Sequence, residues 1–134
     1  ISGPLLDRID IHIEITPVAF DALASKTVNE TSEQIRKRVI KAREIQQKRF
    51  ADTDIYANAQ MSSRLLRRHV EIDESGKQIL KTATERLGLS ARAYDRILKV
   101  ARTIADLEAS DKVLTHHLAE AINYRTLDRE NWAG

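Results

Sequence analysis

The sequence has no cysteine and little of the residues that build flexible linkers or aromatic surfaces. Without cysteine, neither a disulfide framework nor a thiolate metal site can form, which fits a reducing compartment. Only 4% of the residues are aromatic, and this disfavours the stacking platforms that bind single-stranded nucleic acids. No apolar run approaches the roughly 20 residues that cross a bilayer. We therefore expect a cytoplasmic protein with no membrane partner.

What is present is typical of one globular domain. The 134 residues are 42% hydrophobic and 31% charged, and their formal net charge is only +2. Such a balanced charge argues weakly for a nucleic-acid partner. No metal site is predicted either, because His116 and His117 are adjacent on a predicted helix and should point in different directions.

The pattern of the first residues predicts a single β-strand. Ile9, Ile11, Ile13 and Ile15 alternate with Asp10, His12 and Glu14, so the isoleucines would line one face. One strand cannot satisfy its backbone alone. Because the sequence begins with Ile1 rather than methionine, we expect the partner strands to lie upstream in a longer product. Residues 1–28 are thus predicted to be the end of a truncated α/β domain.

The rest of the chain, residues 29–134, is predicted to be a helical bundle, which makes the fold mainly α. Thr31 and Gln34 form a capping-box pattern for a first helix. Shorter helices should start after Ser62 or Ser63, near Glu74 and at Thr115, and Gly88 should end the one that starts near Glu74. Ser90 caps the clearest helix. Its apolar stripe is Tyr94, Ile97, Leu98, Ala101, Ile104 and Ala105.

Three groups of residues carry a resemblance to a known family. The first is Ile1-Ser2-Gly3-Pro4-Leu5-Leu6-Asp7-Arg8-Ile9-Asp10, and the second is Ala42-Arg43-Glu44-Ile45-Gln46-x-x-Arg49-Phe50 followed by Asn58-Ala59-Gln60-Met61-Ser62. The third begins Leu89-Ser90-Ala91-Arg92-Ala93-Tyr94-Asp95-Arg96 and continues to Val100-Ala101-Arg102-Thr103-Ile104-Ala105-Asp106-Leu107. In this order they resemble the magnesium-chelatase-like AAA+ ATPases of the ComM or YifB branch.

That resemblance implies a helical lid subdomain behind an AAA+ nucleotide site, preceded by the last strand and linker of the ATPase core. The longer protein would use ATP and Mg²⁺, assemble as a homo-oligomeric ring with neighbouring subunits, and act on DNA. Gly76-Lys77 lacks the preceding glycine spacing of a phosphate-binding loop. The Walker segments should lie in the upstream core, so this chain is not expected to hydrolyse ATP or to hold a cofactor alone.

The resemblance assigns roles to two arginines. Arg92, in the first turn after Ser90, matches the sensor-2 arginine that contacts the nucleotide phosphates, and it is the predicted cofactor-binding residue. Arg8 matches an arginine finger that would complete the neighbouring subunit's catalytic site. Each has a plainer alternative, since Arg92 could be an exposed first-turn residue and Arg8 could pair locally with Asp7 or Asp10.

Two other function classes remain open from the residues alone. The basic residues Arg64, Arg67 and Arg68 could make a stand-alone helical DNA-binding module, and the bundle could equally be a protein-interaction domain. Arg96, Lys99 and Thr103 follow Arg92 along one helical face, which is predicted to be a solvated surface.

Overall fold

The computed structural model describes residues 30–124, which form five α-helices and one short 3₁₀ helix. The helices are α1 (Ser32–Arg49), α2 (Ser63–His69), α3 (Glu74–Leu87), α4 (Ala91–Leu107) and α5 (Thr115–Asn123), with the 3₁₀ helix Asn58–Gln60 between α1 and α2. The prediction of a mainly α helical bundle is confirmed. The strand predicted at residues 9–15 and the boundary after residue 28 lie outside the described residues.

Helix starts follow the predicted capping chemistry. Thr31 Oγ1 accepts the Gln34 amide while Gln34 Oε1 accepts the Thr31 amide, which is the reciprocal capping box of α1. Ser62 caps α2 and Ser90 caps α4, each accepting a first-turn amide through its hydroxyl. Gly88 ends α3 with φ of +60°, a left-handed conformation that glycine adopts without steric cost.

Helix α4 is the centre of the bundle, with α1, α2, α5 and the 3₁₀ helix all packed against it. Its predicted stripe is confirmed, since Ile97, Leu98, Ala101 and Ala105 are buried. The core also takes Leu80 from α3 and Leu118 from α5, together with the residues Phe50, Met61, Leu66, Val70, Val100, Val113 and Ala121. No helix among the described residues is long and apolar enough to cross a membrane.

The first half of α1 does not join this core. Ala42 and Phe50 are buried as the helical periodicity predicts, whereas Ile35 remains 44% exposed. Helical periodicity places Ile35 on the same face of α1 as Ala42, but Ile35 lines an open groove shared with Ile104 of α4 instead of joining the core. Ile40, also on α1, is 48% exposed.

Candidate functional site

The N-terminal turn of α4 presents the residue that the sequence singles out for phosphate binding. Arg92 is the second residue of this helix and is exposed. Ser90 Oγ accepts the Ala93 amide at 3.0 Å and Ser90 O accepts the Tyr94 amide. The amides of Ala91 and Arg92 therefore remain available at the positive end of the helix dipole, among residues 30–124.

No carboxylate within the described part of the chain forms an ion pair with the Arg92 guanidinium. Asp95, the nearest acidic residue along the helix, accepts the Ser63 hydroxyl through Oδ2 at 2.8 Å. That bond fastens the start of α2 to the start of α4. Arg92 is thus a solvent-facing cation beside two available backbone amides, an arrangement that suits phosphate oxygens.

The α4 face that follows Arg92 is not the solvated surface that the sequence predicts. Lys99 Nζ donates to the Ala59 carbonyl at 3.2 Å. Thr103 Oγ1 donates to the Lys99 carbonyl and accepts from Asn58 Nδ2 at 3.1 Å. Arg96 is half-buried. The prediction is wrong because the 3₁₀ helix packs along this face, an arrangement that helical periodicity alone does not reveal.

A buried ion pair ties α1 to α4 below this face. Arg49 Nη2 and Nη1 donate to Asp106 Oδ1 and Oδ2 at 2.7 and 2.8 Å. Asn58 bridges both partners, since its Oδ1 accepts from Arg49 at 2.9 Å and its Nδ2 donates to Asp106 at 2.9 Å. Gln46 Oε1 accepts the Asn58 backbone amide at 3.0 Å. This set satisfies every member that it buries.

Arg102 extends the network to the loop after α4. Its Nη2 lies 3.2 Å from Asp106 Oδ1, and its guanidinium also donates to the carbonyls of Ser110 and Asp111 at 2.7 and 3.0 Å. Burial lowers the pKa of the Arg102 guanidinium below its ordinary value, and the Asp106 charge opposes that shift. The network residues belong to the segments that carry the family resemblance, and their geometry gives them a structural role, since they hold α1, the 3₁₀ helix and α4 in register.

The sequence did not single out this network for any role. A signal was available, because Arg102 and Asp106 stand four residues apart beside the apolar stripe of α4. Spacing alone, however, does not identify Arg49 and Asn58 as their partners.

The two adjacent histidines converge, contrary to the prediction. His116 Nε2 and His117 Nε2 each lie 3.1 Å from one oxygen of Glu108, and the three candidate ligand atoms fall within 4.8 Å of one another. The prediction is wrong because the two rings, whose centroids are 3.9 Å apart, both turn toward the end of α4. The hydrogen bond to His116 is the largest cause of the lowered pKa of Glu108.

The hydrogen bonding of His117 makes this cluster a poor metal site. Its fully buried ring accepts the Leu114 amide through Nδ1 at 2.9 Å and so caps α5 from inside. In the neutral ring the proton then belongs on Nε2, the atom that would have to bind a metal through a free lone pair. The absence of a metal site remains a prediction.

Arg8, the predicted arginine finger, lies outside the described residues. The structure therefore describes one of the two predicted site residues, Arg92, and does not test the role of either.

Comparison with known proteins places the chain in a family. A family model described as "Magnesium chelatase, subunit ChlI C-terminal" matches residues 29–125. The chain is 42% identical over 130 residues to "Competence protein ComM" of Haemophilus influenzae, covering 96% of this chain and 25% of that protein. It is 42% identical over 131 residues to "Uncharacterized protein YifB" of Escherichia coli, with the same coverage.

A mycobacterial relative is more distant. "Uncharacterized protein Rv2897c" of Mycobacterium tuberculosis is 35% identical over 125 residues, covering 93% of this chain and 25% of the relative. The chain thus spans about a quarter of the length of the curated relatives that it matches. It belongs to the family of the C-terminal part of magnesium chelatase subunit ChlI, in the ComM and YifB type, and residues 30–124 form the helical lid domain of an AAA+-like protein.

Proposed function

We propose that this chain is the lid and interface domain of an Mg-ATP-dependent AAA+ ring ATPase, in which Arg92 contacts the nucleotide phosphates. The observation that carries the proposal is the exposed guanidinium of Arg92 on the N-terminal turn of α4, beside the available amides of Ala91 and Arg92. Family membership supports a nucleotide of the full-length protein as the ligand.

The geometry at Arg92 suits an anion for two additive reasons. Backbone amides at a helix N-terminus point at the ligand and carry the positive end of the dipole. A guanidinium forms charge-assisted hydrogen bonds to phosphate oxygens that are about twice as strong as neutral ones. ATP would supply the transferable phosphoryl group, and this domain would supply the Arg92 guanidinium, whose positive charge contacts the phosphate oxygens.

The buried Arg49–Asp106 pair gives the lid the rigidity that this role requires. Because the pair and Asn58 fix α1 and the 3₁₀ helix to α4, a movement of α4 would be passed on to both of these elements. Lid rotation after hydrolysis would then be transmitted through α1 toward the ATPase core upstream of it.

Arg8 is the proposed arginine finger of the same ring. A guanidinium inserted into the neighbouring subunit's site stabilises charge on the transferred phosphoryl group, an effect worth roughly a thousandfold or more in rate. This role requires a closed homo-oligomeric ring, because head-to-tail contacts must complete every site. The isolated chain would hydrolyse no ATP, and the assembled cytoplasmic protein would act on DNA, the substrate class favoured for this branch.

A DNA-binding module is the second candidate, and one observation favours it. Arg64, Arg67 and Arg68 are all exposed on the short helix α2. Phosphate contacts by such side chains give binding that weakens steeply with salt. Salt-dependent DNA binding by the isolated chain would support this candidate, whereas the lid proposal needs the assembled ring.

The experiment that tests the proposal begins with the parent reading frame upstream of Ile1. A Gly-x-x-x-x-Gly-Lys-Ser/Thr segment between a strand and a helix is the expected result. A stop codon, or an upstream domain without a phosphate loop, contradicts the proposal.

Subunit mixing then tests Arg8. Rings that combine Arg8→Ala subunits with subunits whose phosphate loop is inactivated should regain ATP hydrolysis, because intact fingers from the second meet intact loops of the first. Without such recovery, Arg8 does not act across a subunit interface.

A further inference from the structure

The hydrogen bond between Ser63 and Asp95 lies next to the proposed phosphate contact at Arg92. Ser63 is the first residue of α2, 32 positions before Asp95, and its hydroxyl donates to Asp95 Oδ2 at 2.8 Å. Asp95 is half-buried in α4, three residues after the exposed Arg92. Because side chains three residues apart are neighbours on one face of a helix, the Asp95 carboxylate is within reach of the Arg92 guanidinium.

Arg92 and Asp95 nevertheless form no ion pair, although a pair with the same spacing forms on another helix of the bundle. On α3, Lys77 Nζ lies 3.5 Å from Glu74 Oε1, three residues before it. Asp95 differs from Glu74 in one respect, since its carboxylate accepts a hydroxyl donated by a second helix. That difference makes Ser63 the residue that decides whether the carboxylate turns toward α2 or toward Arg92.

We propose that Ser63 is a positioning residue for Arg92, because its hydroxyl holds the Asp95 carboxylate toward α2 and leaves the guanidinium available for phosphate. The inference rests on the proposed nucleotide role of Arg92. A carboxylate paired with Arg92 would compete with the phosphate oxygens for the same N–H donors, and its negative charge would repel the phosphate. Ser63 removes this competitor without touching the nucleotide.

The position of α2 does not depend on this one bond. Leu66, three residues after Ser63, is only 1% exposed, and Val70, which follows the helix, is buried in the same hydrophobic core. Ser62 caps the helix through its own hydroxyl, which accepts the Leu65 amide. Loss of the Ser63 hydroxyl therefore frees the neighbouring carboxylate of α4 while α2 stays packed against that helix.

ATP hydrolysis by the assembled parent protein at low ionic strength tests this role. Ser63→Ala should lower kcat/KM by about two- to fivefold, the effect of one exposed ion pair that has to break before phosphate binds. The deficit should shrink as salt is added, because salt screens exposed charges. Ser63→Thr, which keeps a hydroxyl donor, should recover most of the loss. Ser75→Ala removes an exposed hydroxyl from α3 and is the matched control.

The decisive variant is the double substitution Ser63→Ala/Asp95→Asn. It removes the competing charge together with the hydroxyl, so kcat/KM should return to about the parent value. A role confined to fastening α2 to α4 predicts no such recovery, because alanine at position 63 cannot donate the lost hydrogen bond to any residue at position 95. Circular dichroism checks that each variant is folded.

Two results would overturn the proposal while the nucleotide role of Arg92 survives, as shown by a loss of hydrolysis in Arg92→Ala. One is a Ser63→Ala protein as active as Ser75→Ala. The other is a double variant as impaired as Ser63→Ala, which would trace the loss to the attachment of α2. Unchanged hydrolysis by Arg92→Ala would instead overturn the proposed function, and this inference with it.

Discussion

Arg49 and Asp106, 57 residues apart in the sequence, form a two-point ion pair whose N–O distances are 2.7 and 2.8 Å. The Asp106 side chain is fully buried and that of Arg49 is 12% exposed. Two charges withdrawn from water stabilise a fold only while both stay paired and hydrogen-bonded. Asn58 and Arg102 complete that shell, so the domain depends on the whole group rather than on one contact.

Removal of one partner should therefore be severe. Asp106→Ala leaves the guanidinium groups of Arg49 and Arg102 buried without their carboxylate, and we expect a loss of about 3–5 kcal/mol in the free energy of unfolding. Urea unfolding followed by circular dichroism measures it. Glu33→Gln, which breaks the exposed pair with Lys37, is the matched control and should change stability by less than about 0.5 kcal/mol. Equal losses in the two variants would contradict a central role for the network.

Gly76 on α3 should tolerate no side chain, even though alanine is the better helix former. A Cβ at this position would lie 2.8 Å from Leu118 Cδ1 and closer still to Ile72 Cγ2. Gly76→Ala should cost roughly 1–3 kcal/mol in the free energy of unfolding through overpacking. Thermal unfolding of this variant beside Ser75→Ala, at an exposed neighbouring position, provides the measurement, and a stabilised Gly76→Ala protein would refute the predicted clash.

Ala109, just after α4, is a position at which a change to glycine should stabilise the protein. Its φ of 57° is left-handed, a conformation that costs a residue with a Cβ about 1–2 kcal/mol. Ala109→Gly should raise the free energy of unfolding by about 0.5–1 kcal/mol, because part of the gain is offset by the entropy of an unfolded glycine. Ala119→Gly, inside α5, should lower it by about 1 kcal/mol. Denaturant midpoints that fall in both variants would argue against strain at Ala109.

The stability of the bundle should depend on pH through His69. Burial, and next the charge of Arg49, lower the pKa of this histidine from 6.5. As pH falls below 6.5 the unfolded chain takes up a proton that the folded chain resists, so the free energy of unfolding decreases until the folded pKa is reached. As the pH is lowered from 7.5 to the folded pKa of His69, the urea midpoint should fall less in His69→Gln than in the parent chain. This pH window follows from the lowered pKa of His69. Parallel curves would show that His69 does not titrate differently in the folded state.

Local chemistry made much of this fold predictable. Short-range sequence patterns predict the Ser90 cap, the Gly88 end of α3 and the apolar stripe around Ile97. Each of these predictions is confirmed. These patterns depend on backbone sterics and on a period of 3.6 residues, so neighbouring residues suffice to read them.

Tertiary partners were not predictable in the same way. The burial of Asp106 depends on Arg49, and no local rule connects residues 57 positions apart. The convergence of His116 and His117 depends on where Glu108 ends α4. The exposure of Ile35 likewise depends on the open groove between α1 and α4, a property of the assembled helices rather than of the α1 sequence.

The role of Arg92 is the central claim, and ATP hydrolysis by the assembled parent protein tests it most directly. Loss of a charge-assisted phosphate contact is worth about 1.5–3 kcal/mol, so Arg92→Ala should lower kcat/KM for ATP by roughly 10- to 100-fold. Arg92→Lys should restore part of it, and folding should be unchanged because Arg92 is exposed. Arg43→Ala, which removes an exposed arginine on α1, is the control and should stay near the parent value. Hydrolysis by Arg92→Ala that matches this control would contradict the account and leave the domain without a nucleotide contact at α4.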